Sequence, residues 1–425
     1  MQVDINLDIH HLSRVEGHGN IVVRVQNGAV KEARWDVVET PRFFEVILQG
    51  KHFSSAGLLT ARICGICSIG HCLASVNATE DAFGIRIPQV AKQLRLLAKH
   101  GETLQSHILH LVFLALPDFL DLPSALPLQT ANPDAFRLAA RLKGLGNRIC
   151  DVVAGRTTHP VAIQVGGMTR MPDKSKLRAL RADLQASIDD LKVLFDLFKT
   201  LKIPNFNRNT EFVALGGEGE YPWIGSKVIS TDGIDKNKKD YLSLTNEYTT
   251  DENTSKWCKL SRDEFAVGAL ARFNNNYPLL HKDARTMAAD LGLLPVSHNP
   301  FMCNAAQLIE CVHVVHHSIE IIDQLLTLED GIETAVKVEP KQGSGVGAVE
   351  VPRGILYHYY EYDEQGRIQK ADCVIPTTQN NANIHKDIQA LAKEYALRGT
   401  SDKELELLCS MLVRSYDPCI SCSVH

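Results

Sequence analysis

A chain of 425 residues, 44% hydrophobic and 22% charged, carries enough apolar material to bury a large core. Its net charge of -5 and interspersed acids and bases leave no basic stripe to follow a phosphate backbone, so nucleic acid is excluded as an expected partner. The longest apolar stretch, Leu109 to Pro117, is broken by His110 and no direct membrane span is expected; Met1-Gln-Val-Asp-Ile-Asn has no secretory pattern, and a cytoplasmic chain is expected.

In chain order, the first legible element surrounds Asn27-Gly28, where Asn20 to Gln26 and Ala29 to Val38 alternate apolar and polar residues. A β-hairpin is predicted over about 19–39. From Pro88 to about Leu116, apolar residues at Leu94, Leu97, Leu104, Ile108 and Leu111 follow a helical repeat. Further helices are predicted from Asp134 to Ala154, Lys174 to Leu201, Asn304 to Leu328, Ile384 to Leu397 and Lys403 to Ser415. Ser230 to Ser255, dense in Asp, Lys, Asn and Thr, reads as a surface excursion. Gly354 to Tyr360 and Ile368 to Val374 read as a second hairpin joined through Asp363-Glu-Gln-Gly366. Gly343-Ser-Gly-Val-Gly347 lacks the spacing of a dinucleotide fingerprint. The expected fold is an α-rich α+β unit spanning 1–425, a long central helix bundle over about 88–415 with small peripheral β-hairpins.

Eleven cysteines are an odd count, and a reducing compartment makes a disulfide framework a poor explanation. Cys64-Gly-Ile-Cys67 and Cys419-Ile-Ser-Cys422 repeat one spacing near the two ends of the chain. Taken alone, two such pairs could make a four-thiolate zinc site. Zinc ribbons, however, close loops of about 15–20 residues, and here almost the whole chain intervenes. No thioredoxin-like βαβ setting supports disulfide exchange. Metal binding of another kind is the better reading, and Cys72, Cys150, Cys258, Cys303, Cys311, Cys373 and Cys409 read as buried small apolar residues.

Ser13-Arg14-Val15-Glu16-Gly17-His18, Arg62 to His71, Pro352-Arg353-Gly354 and Asp417 to His425 occur together and in order. With these flanks the chain resembles the large subunit of nickel-iron hydrogenases over essentially its whole length. That resemblance implies that Cys64 and Cys419 bind nickel terminally, that Cys67 and Cys422 bridge nickel to iron, and that the iron carries one carbon monoxide and two cyanides. It implies that Glu16 receives a proton from Cys419, that Arg353 beside Pro352 covers the open metal face as polariser or base, and that Asp118 and Asp417 orient it. Thr377 after Pro376 would face a cyanide, and His71 would support a bridging sulfur. Glu39, His425 and the carbonyl of Cys373 are the matching candidates for a magnesium or iron(II) site. The end at His425 matches the family's processed form.

The activity implied is reversible heterolytic cleavage of H2, with electrons leaving through an iron-sulfur small subunit. Pro41-Arg-Phe-Phe and the closing Cys-Ile-Ser-Cys-Ser-Val-His resemble the cytoplasmic bidirectional group, which implies NAD(P)- and flavin-linked partner subunits. An H2 sensor and a heterodisulfide-reductase-linked hydrogenase remain open. A metal-free relative of a respiratory quinone-site subunit is opposed by the four intact cysteines.

Overall fold

The computed structural model describes residues 4–425. Strands Ile5–Ile9, Gly19–Gln26 and Ala29–Val37 form an antiparallel sheet in that order. Asn27 and Gly28 have φ of 52° and 73°, the left-handed pair that a two-residue turn between twisted strands requires. Alternation buries Ile21, Val23, Val25, Ala33, Trp35 and Val37 on one face. The predicted hairpin is present and gains a third strand, Ile5–Ile9, whose five residues are too short for a period to stand out.

The helical core is built on Gln89–Ile108, which packs against Pro133–Ala154 and Cys303–Leu326, while Lys174–Lys199 covers both of those. Backbone approach at one crossing depends on two glycines. A Cβ on Gly146 would sit 2.7 Å from the Gln105 amide, and one on Gly101 would sit 2.9 Å from the Cys150 sulfur. The Gln89–Ile108 helix continues through a π-helical turn, Leu109–Ala115, into Leu116–Phe119 with Pro117 in its first turn. A π turn inserts a residue without breaking the axis, so the predicted run to Leu116 is one rod with a local change of pitch.

The second sheet has Gly354–Tyr362 at its centre, flanked by Gly343–Val351 and Ile368–Val374. Gly343-Ser-Gly-Val-Gly347 belongs to its first strand, which lies on helix Ser68–Phe83; a Cβ on Gly347 would come 1.9 Å from the Ala74 carbonyl. Those glycines allow sheet and helix to touch.

Helix Pro376–Leu397 begins earlier than the Ile384 start read from sequence. Thr377, Thr378, Gln379, Asn380, Asn381 and Asn383 are all buried polar residues, so no apolar stripe marks this part. They are satisfied across the core: Asn380 accepts from the Val267 amide at 2.9 Å, and Asn381 from the Trp35 indole at 3.2 Å. Ser230 to Ser255 is an excursion only in part. Tyr241, Leu244 and Thr245 are buried, and Asn253 and Thr254 hydrogen-bond to the backbone of Val37. Among the described residues, no helix is long and apolar enough to cross a membrane.

Candidate metal centre

Cys67 caps the N-terminus of helix Ser68–Phe83, and Cys64 sits in the turn before it, its sulfur facing the amides of Ile66 and Cys67 at 3.3 Å each. Amides aimed at sulfur favour a thiolate. Cys419 and Cys422 flank the start and body of the short terminal helix Ile420–Ser423. Arg42 joins the two loops, donating to the carbonyls of Ile63 at 2.8 Å and Ser421 at 2.6 Å. The Glu16 segment pairs with Cys419 as a parallel β-bridge, with the Ile420 amide donating to the Glu16 carbonyl at 2.9 Å. Gly17, at φ 85°, is needed there, because a Cβ would lie 2.8 Å from that of Ile420.

The chain's two ends thereby bring four buried thiols together. Cys64 Sγ lies 3.6 Å from Cys419 Sγ and Cys67 Sγ lies 3.9 Å from Cys422 Sγ, with all four within 4.8 Å of one another. These separations are far beyond a disulfide bond of about 2.05 Å. Four sulfurs at about 2.3 Å from one soft cation would be roughly 3.8 Å apart, so the donor set fits a thiolate-bound metal. Charge argues the same way. Hydrogen bonding from Cys419, Cys422 and Cys67, aided by Arg353, holds the Cys64 thiol well below its ordinary value, while Cys422 and Cys64 push Cys419 up and burial pushes Cys422 up. Like charges packed this closely cannot all ionise without a cation among them.

Arg353 is buried beside the thiols, with Nη2 donating to Asp417 Oδ1 at 2.8 Å and Nε to the Asp417 carbonyl at 2.5 Å. Burial opposes its charge, but Asp417 and the cysteines outweigh that and hold the guanidinium firmly protonated. Gln307 Nε2 donates to the other Asp417 oxygen at 3.2 Å, and His110 is held between Gln307 Oε1 at 2.6 Å and the Arg414 carbonyl at 2.7 Å. Sequence reasoning missed Gln307 and His110, which carry no motif and meet only in three dimensions.

Asp118 is not where the sequence reading put it. Its carboxylate takes Arg414 Nη1 at 2.8 Å on both oxygens and pairs with Arg14, leaving Asp417 as the acid on Arg353 and Ser106 as its neighbour at 3.5 Å. Leu116-Pro117-Asp118 follows the π turn. Glu16 holds its carboxylate on the Ser421 amide at 3.0 Å and on the Ser421 hydroxyl. Thr377 Oγ1 accepts from the Cys419 amide at 3.0 Å. Pro376 opens the helix that carries Thr377, and the Pro352 carbonyl accepts from Arg272 at 3.0 Å. His71 is fully buried, and desolvation pushes its pKa down to about 3, so the ring is neutral. Its Nδ1 lies 3.2 Å from His358 Nε2, which leaves Nε2 as the nitrogen free to approach a thiolate.

Glu39 is also displaced from its expected partner. It accepts from the His18 ring at 2.8 Å, and the carboxylate beside His425 is Glu45, at 3.3 Å. Glu45, Cys373 and His425 form a second group of potential ligands, and the Cys373 amide donates to Glu45 at 2.9 Å. Burial alone would raise the Glu45 pKa, but His425 overrides it and brings the carboxyl to about 2. Both acids belong to Glu39-Thr-Pro-Arg-Phe-Phe-Glu45; the helix Phe44–Leu48 turns the second one toward the chain terminus. A third group, His281, Asp283 and His316, differs in kind. The two imidazoles stack at 4.0 Å and 9°, so their in-plane lone pairs run side by side and do not converge.

Known proteins are similar to this chain in sequence and in fold. Residues 42–144 and 221–425 match the family described as nickel-dependent hydrogenase, and residues 6–40 match one described as HoxL-like. The chain is 32% identical to the alpha chain of sulfhydrogenase 1 from Pyrococcus furiosus over 99% of this chain and 97% of that one. It is 27% identical to the beta chain of the NAD-reducing hydrogenase HoxS from Cupriavidus necator, covering 99% and 94%. A crystal structure of an NAD+-reducing [NiFe]-hydrogenase in the H2-reduced state superposes with a TM-score of 0.90 at 26% identity, covering 99% of each chain.

Proposed function

From the premise that this chain belongs to the nickel-dependent hydrogenase family and is a catalytic hydrogenase subunit, we propose that Cys64, Cys67, Cys419 and Cys422 hold a nickel-iron centre, with carbon monoxide and two cyanides on the iron. The observation that carries this reading is the convergence of four buried thiols beneath a buried, protonated Arg353. The metal group supplies the Lewis-acidic, redox-active site at which H2 is polarised and split. Arg353, fixed by Asp417, would present a positive charge to a group held by the four thiols and cannot itself take up a proton. Glu16, anchored to Ser421, is the carboxylate that receives a proton from the Cys419 sulfur. Pro352 and Pro376 fix the backbone on which Arg353 and Thr377 stand, and His71 would support one of the metal-holding sulfurs as a neutral donor.

Glu45 and His425 bind a hard divalent ion, magnesium or iron(II), in place of the Glu39 pairing read from sequence. Residues 1–425 act as one unit in the cytoplasm, beside an iron-sulfur small subunit that accepts the electrons. NAD(P)- and flavin-binding subunits are the proposed onward path, supported by the 0.90 superposition on an NAD+-reducing enzyme. Metal analysis with infrared spectroscopy tests the centre. One nickel per chain with carbon monoxide and cyanide bands, both lost in Cys64→Ser, is expected. Zinc with no such bands would end the reading.

A further inference from the structure

Arg353 takes its place beside the thiols from Asp417. Nη2 and Nε both donate to that residue, and among the described residues the remaining side-chain partner is the Ser106 hydroxyl, at 3.5 Å. Whatever holds Asp417 therefore holds the guanidinium. The terminal torsion of an aspartate is broad, so one partner leaves the carboxylate free to rotate. Asp417 also has φ of 50°, a left-handed backbone that a residue other than glycine keeps only with support from its surroundings.

That support comes from Gln307, in the second turn of helix Cys303–Leu326, and from His110, in the π turn Leu109–Ala115. Both side chains are buried, with 2% and 1% exposed. Together with Arg414 they close a ring of hydrogen bonds around Asp417. The Asp417 amide donates to the Arg414 carbonyl at 2.8 Å. His110 Nε2 meets the same carbonyl at 2.7 Å, and its Nδ1 lies 2.6 Å from Gln307 Oε1. Gln307 Nε2 then donates to Asp417 Oδ2 at 3.2 Å, while Oδ1 takes Arg353.

Donor chemistry fixes the direction of this ring. A carboxylate paired with a guanidinium only accepts, so Gln307 must turn its NH2 to Asp417 and its carbonyl oxygen to His110. An accepting oxygen faces each nitrogen of His110, and the ring is complete when the imidazole donates from both. The Gln307 amide is thereby left with one orientation, and the carboxylate it meets is held on both oxygens.

We propose that Gln307, held by His110, is a positioning residue for Arg353: through Asp417 it sets where the guanidinium stands beside the four thiols. The role rests on the reading of those thiols as a nickel-iron centre, where Arg353 would face the site of H2 cleavage.

The test uses the whole complex carrying Gln307→Met, which keeps the length of the side chain and removes both hydrogen bonds. His110→Phe approaches from the other side of the ring and gives the same readings if the first variant does not accumulate. Nickel content should stay at the wild-type level in both. H2/D+ exchange should fall about 10- to 100-fold, the usual cost of losing a partner one bond removed from a working group. The carbon monoxide and cyanide bands should leave their wild-type positions, because a neighbouring positive charge has moved. A crystal structure of Gln307→Met should show the Asp417 carboxylate rotated and its contact with Arg353 altered. The double variant should be no slower than Gln307→Met alone, since both act through one acid. Ser318→Ala removes a buried hydroxyl about three turns further along the same helix and should change neither rate nor bands. Wild-type rate and bands in Gln307→Met, or an unmoved Asp417, would overturn the proposal, and losses that multiply in the double variant would overturn the part given to His110. A wild-type complex that holds zinc and shows no such bands would sink the metal reading instead, and the position of Asp417 in the variant would still decide what Gln307 does.

Discussion

Glu16 is pinned to the two residues that follow Cys419, by its carbonyl to the Ile420 amide and by its carboxylate to Ser421. Glutamine can keep an acceptor on Ser421 but cannot take up a proton, so Glu16→Gln isolates the chemistry from the fold. H2/D+ exchange should drop at least about 10²-fold, the scale of a general acid-base group, with nickel content unchanged. Wild-type exchange in that variant would move the proton route elsewhere. At the terminal ion site, the structure separates two acids that sequence could not. Glu45 faces His425 while Glu39 faces His18, so Glu45→Gln should lose bound magnesium on dialysis and Glu39→Gln should keep it. Retention by the first and loss by the second would restore Glu39 as the ligand. The motif narrowed the choice to a seven-residue window, but which acid meets the terminus depends on a one-turn helix, Phe44–Leu48, that has no signature of its own.

At the scale of elements, patterns were legible where one face is apolar and the other wet, as in Gly19–Val37 and in the long helices. They were not legible where burial is polar. The first two turns of Pro376–Leu397 pack amides and hydroxyls into the core, and their partners, such as Val267 and Trp35, lie far away in sequence. Glycine was similarly ambiguous. Gly144 and Gly146 are neighbours in helix Pro133–Ala154, yet a Cβ on Gly144 meets nothing nearer than the Arg148 guanidinium at 3.9 Å, while one on Gly146 strikes Gln105 backbone at 2.7 Å. Gly144→Ala should therefore stabilise by up to about 1 kcal/mol through helix propensity. Gly146→Ala should destabilise by about 1–3 kcal/mol, because two helices must separate to admit a methyl group. Thermal inactivation of the two variants compares them directly, and equal midpoints would mean that this crossing is looser than the distances indicate.

For the molecule as a whole, the metal centre is enclosed, and electrons taken from H2 must still leave it. Among the described residues the four thiols are the only cluster of cysteines, so no iron-sulfur relay can be assembled from the others. The small subunit is therefore expected to dock near the two thiol loops. The surface there carries Phe43 at 64% exposure, Val46 at 61%, Leu58 at 49% and Ile47 at 44%, next to Arg42, which ties both loops together. Large apolar side chains exposed side by side mark a covered surface, and the expected interface exceeds the roughly 1,600 Å² of an ordinary complex. Two assays separate its role from that of the centre. H2/D+ exchange moves only protons and needs no exit for electrons, whereas dye reduction needs the relay. Phe43→Asp combined with Val46→Asp should release the small subunit on size exclusion and abolish dye reduction while exchange by the metal-loaded chain persists. Leu397→Asp, at an equally exposed leucine away from the loops, should change neither. An isolated chain that reduces dye with H2 at the full rate would show that electrons leave without the partner.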